Sequence, residues 1–295
     1  DEVRLEEVKK VIPFLREASI SGNIDMAANI KETASGIVTE GEIGIADFTS
    51  GKVKIKDMNA NLELYGGELK LKEIKGGLYG GSINGSIDIS FKEHPIRYSS
   101  KVTISEVDME ELLKGISSTR YKAKGKVNGA AYFHGDSLEL KNLNGKGSIE
   151  IRNGKTSGLP FFEALADITN ISSFTQFNFE SATSDFKLDL GKELLIIEDL
   201  RLNGRDANFY IDKAQVKLDG SIMGGTLSAE IPRHVLAKSN KFSLLLFLIG
   251  EKSSKLIFDY KLGGFLDNPR LQWMESKLKD RIENILTLGQ KKKIE

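Results

Sequence analysis

Apolar residues fall on every second position along almost the whole chain, and that period confines most of it to half-buried β-strands. In the stretch GGLYGGSINGSIDIS, Gly76 to Ser90, the residues Ile83, Gly85, Ile87 and Ile89 share one face. Ser82, Asn84, Ser86, Asp88 and Ser90 share the other. The habit starts with Ile20, Ile24, Met26, Ala28 and Ile30, then Val53 with Ile55, and Met58, Ala60, Leu62 and Leu64. Leu69 and Leu71, then Tyr98, Val102 and Ile104, then Tyr121, Ala123, Val127, Ala131 and Phe133 continue it. Leu138 with Leu140, and Ile149 with Ile151, close the first half. The second half repeats it with Phe177 and Phe179, Phe186, Leu188 and Leu190, and Leu200 and Leu202. Phe209 and Ile211, then Ala214, Val216 and Leu218, then Leu227, Ala229 and Ile231 follow, before Leu256, Phe258, Tyr260 and Leu262.

Between these runs stand Tyr65-Gly66-Gly67, Asn153-Gly154, Asn203-Gly204, Asp219-Gly220 and Gly224-Gly225, all turn chemistry. Connections this short join only antiparallel neighbours, so a meander is expected. Roughly fifteen strands exceed what an open twisted sheet carries without curling, splitting or closing. The pattern therefore leaves a sandwich, a barrel or a long curled trough. Twenty-nine glycines against five prolines suit many reversals and bulges.

Helical spacing interrupts the meander in a few places. Val3 to Leu15 carries Leu5, Val8, Val11 and Ile12, with Pro13 breaking it. Asp108 is placed to cap a helix ending near Ile116, and Pro160 opens another reaching Ile171. His234 to Gly250 reads equally as helix or strand. Met274 to Leu288 is amphipathic and leads into the basic run Lys291, Lys292 and Lys293. The expected organisation is an N-terminal helix over 1–17, a β domain over 18–272, and a C-terminal helix with a basic tail over 273–295.

The charges exclude several functions. Forty-two basic and 42 acidic residues cancel, which gives no net field toward nucleic acid. Without cysteine there is no thiolate or disulfide chemistry. The longest unbroken apolar run, LLLFLI from Leu244 to Ile249, is far shorter than the ~20 residues that span a bilayer. A start at Asp1 without a leader is expected of a fragment whose anchoring segment lies outside it. The histidines at 94, 134 and 234 are far apart and lack metal-ligand spacing. Gly154-Lys155-Thr156 lacks the glycine a phosphate loop needs at Ile149, and Ser276-x-x-Lys279 has no companion motif. Paired acids such as Glu110-Glu111 and Glu198-Asp199 read as solvated surface. No catalytic residue, cofactor or metal site is expected, so the chain reads as a non-enzyme.

Several blocks in order resemble the AsmA-like C-terminal domain family, with its TamB- and YhdP-type bridge-like lipid-transfer members. The glycine-rich strand at 76–90 is followed by TISEVDMEELLKGI at 103–116, similar to the family's strand into a Val-Asp-x-x-x-Leu-Leu helix. GKVNGAAYFHGDSLELKNLNGKGSIEIRNGKTSGLPFFEALADITNI at 125–171 resembles its glycine-punctuated strands and short helix. LGGFLDNPRL at 262–271 is similar to its terminal Gly-x-Leu-x-x-Pro strand.

The resemblance implies a mainly β fold. A long curled antiparallel sheet would form an open hydrophobic groove with a few short capping helices. It implies outer-membrane biogenesis in the periplasm of a Gram-negative bacterium, with the full-length protein anchored in the inner membrane. The implied partners are phospholipid or another acyl-chain lipid, envelope proteins that add a strand to an open edge, and the membrane through that anchor. The groove lining would be Ile83, Ile87, Ile89, Val102, Ile104, Val127, Ala131, Phe133, Ile149 and Ile151 from the first half. Phe177, Phe179, Phe186, Leu188, Leu190, Phe209, Ile211, Val216, Leu218, Phe258, Tyr260 and Leu262 would extend it. The alternation alone equally builds a structural scaffold of the envelope, a β-sandwich in which the same residues form a sealed core.

Overall fold

The computed structural model describes residues 3–4, 20–33, 36–116, 122–136 and 139–291. The strands, in chain order, begin with β1 (Val3–Arg4), β2 (Ile20–Ser21), β3 (Asn23–Thr33), β4 (Gly36–Ser50) and β5 (Val53–Tyr65). Then come β6 (Glu68–Leu78), β7 (Gly81–Ser90), β8 (Arg97–Asp108), β9 (Lys122–Asp136), β10 (Asn144–Ser157) and β11 (Gln176–Asp189). The last are β12 (Leu194–Gly204), β13 (Asn208–Lys217), β14 (Ile222–Pro232), β15 (Lys255–Phe265) and β16 (Asn268–Trp273). Their hydrogen-bonding order is the chain order from β3 to β16. β1 pairs β3 at one edge, and β2 pairs β4. The expected antiparallel meander is what forms, and among the described residues the sheet does not close on itself.

The hairpins use the chemistry the sequence advertised. Gly66 and Gly67 take φ of 54° and 79° between β5 and β6. Between β13 and β14, Asp219 Oδ1 accepts the Ser221 N–H at 2.8 Å. Helix α1 (Met109–Ile116) starts where Asp108 Oδ1 accepts the N–H groups of Glu110 and Glu111, at 3.0 and 3.2 Å. Pro160 opens α2 (Pro160–Thr169), which ends on Asn170 at φ 54°. The ambiguous segment resolves into α3 (Arg233–Leu236) and α4 (Ser243–Ile249), and the last helix is α5 (Glu275–Lys291).

Some expectations need correction. Val3 and Arg4 are strand, not helix; the rest of the expected N-terminal helix lies outside the described residues, as do Tyr121, Leu138 and the end of the basic tail. Leu140 opens a 3-10 turn (Leu140–Asn142) instead of continuing a strand. The long strand β4 went unread because glycines dilute its alternation. At Gly41 a Cβ would lie 2.4 Å from the Ala27 carbonyl oxygen, so the neighbouring strand leaves no room for a side chain. Asn153-Gly154 and Gly224-Gly225 are inside β10 and β14, not turns.

The alternation changes phase inside several strands. In β5 the apolar residues switch from Val53 and Ile55 to Met58 and Ala60, across Asp57 at φ 49°. Glu73 (φ 51°) and Glu106 (φ 55°) mark the same switch in β6 and β8, where the register shifts. Asn153 and Asp199 share that left-handed geometry in β10 and β12, both at φ 51°. At Asp57, Glu73 and Glu106 the register shift makes the site a β-bulge, which re-aims the side chains that follow it.

By internal contact the chain divides into two compact units. The first comprises Asp1–Thr119, Gly125–Ile149 and Lys187–Glu193, and the second Arg120–Lys124, Glu150–Phe186 and Leu194–Glu295.

Candidate functional site

In the first unit, register aligns the apolar positions of successive strands into rows. Leu64, Leu69, Ile89 and Tyr98 face one another in sequence across β5 to β8. Beside them run Leu62, Leu71 and Ile87, with Ser100 paired to Phe133. Ile74, Gly85, Val102 and Ala131 form the next row, and Gly76, Ile83, Ile104 and Gly129 another. The opposite face carries Glu63, Lys70, Asp88, Ser99 and His134 in one row. There Lys72 Nζ lies 2.6 Å from Glu63 Oε2. One sheet therefore has an aliphatic face and a charged face.

The aliphatic face lacks a second layer among the described residues of this unit. Ile83, Ile87, Ile89, Val102, Ile104, Ala131 and Phe133 are half-buried, touched from the sides by cross-strand neighbours. Leu64 is 39% exposed. Ile149, Leu188 and Leu190 are half-buried as well.

Full burial occurs at the strand ends where α1 packs on β5 and β8. Ile55, Leu78, Val107 and Val127 are each below one-tenth exposed there. Tyr79 fastens that end: its hydroxyl donates to the Lys52 carbonyl at 3.2 Å and accepts the Lys54 N–H at 3.3 Å. At the other end of the strands a recess of about 490 Å³ is lined by residues of both sets of rows, Leu69, Ile89 and Tyr98 as well as Lys70 and His134, and by Arg97. Burial, with the Asp136 carboxylate nearby, raises the Tyr98 phenol above its ordinary pKa.

The second unit treats the same alternation differently. Phe162 and Leu165 of α2, Val235 and Leu236 of α3, Leu246 and Ile249 of α4 and Leu278 of α5 belong to one core cluster. The strand residues in that cluster include Phe177, Phe179, Phe209, Leu227, Phe258, Tyr260 and Leu262. Its aromatic centre is tight, with the Phe162 and Phe177 rings stacked 4.9 Å apart and Phe177 edge-on to Phe209 at 5.1 Å.

This corrects the expected lining. Phe177, Phe179, Phe209, Phe258, Tyr260 and Leu262 are core beneath the unit's own helices, and Val216 is 4% exposed. Val127 likewise is buried in the first unit. Ile151 and Ile211 pack at the margin of the core, Phe186 is half-buried, and Leu218 is 52% exposed just past the end of β13. Conversely, Leu62, Leu64, Leu69, Leu71 and Ile74 belong to the uncovered face but were not assigned to it. Their strand pairing with Ile87 and Ile89 places them there.

The fold and this face define a class of protein: an open antiparallel β-meander whose first unit carries an aliphatic face without a second layer among that unit's described residues. The chain matches the AsmA family over residues 29–196, more than half its length, and belongs to that family. The family is associated with the bacterial envelope and, at family level, with outer-membrane biogenesis. No curated protein and no solved structure matches the chain. Among the described residues, no helix is long and apolar enough to cross a membrane.

Proposed function

We propose that the first unit handles acyl-chain lipid without chemical conversion, shielding phospholipid tails on its aliphatic face. In this reading the lipid moves between inner and outer membranes through the periplasm. The observation that carries it is the row structure around Ile83, Ile87, Val102 and Ile104, an aliphatic face half-buried and without a covering layer among the described residues of its unit. Family membership supports it, since the envelope is where such cargo moves. Each methylene taken from water gains about 0.8 kcal/mol, so a tail of about sixteen carbons gains on the order of 10 kcal/mol before ordering costs. That attraction has no direction, so a smooth wall lets a tail slide without deep traps.

The second unit, taken by itself, fits the other reading, a scaffold with a sealed core. Purified protein is expected to carry phospholipid detectable by native mass spectrometry and to take up a fluorescent fatty acid. Ile87→Asp and Ile104→Asp are expected to reduce uptake at least tenfold, because a carboxylate in the row cannot sit against hydrocarbon. Uptake in those variants equal to that of the parent would remove the reading.

A further inference from the structure

We infer that α4 is a membrane-docking element which seats on the surface of an anionic lipid bilayer. The helix is apolar on both of its sides. Leu246 and Ile249, with Phe242 just before the helix, belong to the core of the second unit at 8%, 1% and 6% exposure. Leu244, Phe247 and Leu248, at the intervening helical positions, are 71%, 81% and 58% exposed. A helix lying on the core of a water-facing protein carries polar residues outward. Here Ser243 is the only polar residue of the seven.

The outward face is held rigidly, so its exposure is built in. Arg233 donates from Nη2 to the Leu246 carbonyl at 3.1 Å and from Nη1 to the Gly250 carbonyl, tying down the C-terminal end. Before the helix, Lys241 Nζ donates to the carbonyls of Ile168 and Asp167, at 2.9 and 3.2 Å. Ordering a loop on contact is therefore unnecessary, and the binding energy is not spent on it.

Size and charge select the occupant. Three such side chains offer roughly 400 Å² of apolar surface, about half of what each partner brings to a stable protein interface. That is too little to close a dimer, but it suits shallow insertion among headgroups and upper acyl carbons. The flanks are cationic: Lys238, Lys241 and Lys252 are exposed, against Glu251, leaving a surplus of two positive charges over residues 238–252. Lysines beside an inserted apolar tip are attracted to the negative potential of an anionic leaflet. The chain as a whole is neutral, so this local surplus is a property of the site.

The inference stands apart from the lipid-carrying reading, because it concerns a bilayer surface and not a lipid removed from one. The test is flotation of the intact chain with vesicles of phosphatidylcholine alone or with one-third phosphatidylglycerol. The parent is expected to float with the anionic vesicles. Phe247→Ser is expected to weaken partitioning about tenfold or more. Lys238→Glu with Lys252→Glu is expected to remove the preference for anionic vesicles. Since Phe247 is 81% exposed, its variants keep the parent's melting temperature. In a Trp273→Phe background, Phe247→Trp supplies the only tryptophan, and its emission is expected to shift to the blue on anionic vesicles.

Ile87→Asp, which disables the open face, leaves flotation unchanged, so the two proposals fail separately. The inference is overturned if the parent stays unbound with both vesicle types, or if Phe247→Ser floats as the parent does. A parent that sediments as a dimer which Phe247→Ser dissociates also overturns it, by assigning the face to a second copy.

Discussion

Gly154 shows how a residue's meaning changes between sequence and fold. Next to Asn153 it reads as half of a turn, yet it lies inside β10, and a Cβ there would sit 1.9 Å from Cζ of Phe179. The glycine is the floor on which a ring from the next strand lies. Gly204 does the same for Phe177, with 2.3 Å to its Cζ, and Gly135 for Tyr98, with 2.4 Å to its hydroxyl. Pairing of an in-strand glycine with a cross-strand aromatic covers bare backbone with apolar surface. None of this is legible in the chain, because the partner ring is set by strand register. Phe179 is 5% exposed, stacked on Phe177 at 6.5 Å and part of the core cluster, so it has little freedom to retreat. Gly154→Ala is therefore expected to destabilise by about 2 kcal/mol, within the usual cost of overpacking. Chemical denaturation of the variant checks it, and an unchanged midpoint would mean that Phe179 has room to move.

Among the elements, the strands were readable and their irregularities were readable only in part. A phase slip in the alternation, such as Val53 and Ile55 giving way to Met58 and Ala60, marks a bulge, and the left-handed residue at the slip is Asp57. The glycine content points to glycines as the source of bulges. At five positions in the strands the conformation is instead borne by Asp57, Glu73, Glu106, Asn153 and Asp199. At Glu106 a cross-strand bracket holds it: Asn128 accepts the Glu106 N–H at 2.9 Å and donates to its Oε1 at 3.2 Å.

Helix α5 was legible from its spacing, but the feature that docks it was not. Asp259, 1% exposed on β15, accepts the Ser228 hydroxyl at 2.6 Å, and Arg281 of α5 donates to its Oδ1 at 3.3 Å. Arg281 Nη1 lies 2.5 Å from Asp259 Oδ2 without an aligned hydrogen bond there, and donates instead to the Ile257 carbonyl at 3.0 Å. Removing one partner strands a buried carboxylate. Arg281→Met is expected to cost about 3 kcal/mol and to speed amide exchange in α5. The double variant with Asp259→Leu is expected to recover most of that loss, and a double variant as unstable as the single one would assign the cost to packing alone.

At the scale of the molecule, one periodic pattern has two outcomes. Ile87 and Phe209 both sit at apolar positions of alternating strands, yet Ile87 is half-buried on an uncovered face and Phe209 is 1% exposed in a core. Alternation states that a strand has a dry side and says nothing about what dries it. The information that differs is in the helices. Among the described residues, α1 lies before residue 150, while α2 to α5 follow it and supply Leu165, Leu236, Leu246 and Leu278 to the core of the second unit. Helical spacing alone does not show it, because it points to helices in both halves, at Val3–Leu15 and Asp108–Ile116 as well as at Pro160–Ile171 and Met274–Leu288. The same substitution should then give opposite results in the two units. Ile87→Asp replaces a half-buried side chain with no layer above it among the described residues of its unit, so the carboxylate can reach water, and a loss of about 1–2 kcal/mol is expected. Phe209→Asp places an unpaired charge among Phe162, Phe174 and Phe177, with no route to water and a cavity beside it, and a loss above about 4 kcal/mol is expected. Calorimetric melting of both variants reads the difference directly. Equal, large losses would show that the first unit's aliphatic face is as tightly covered as the second unit's core.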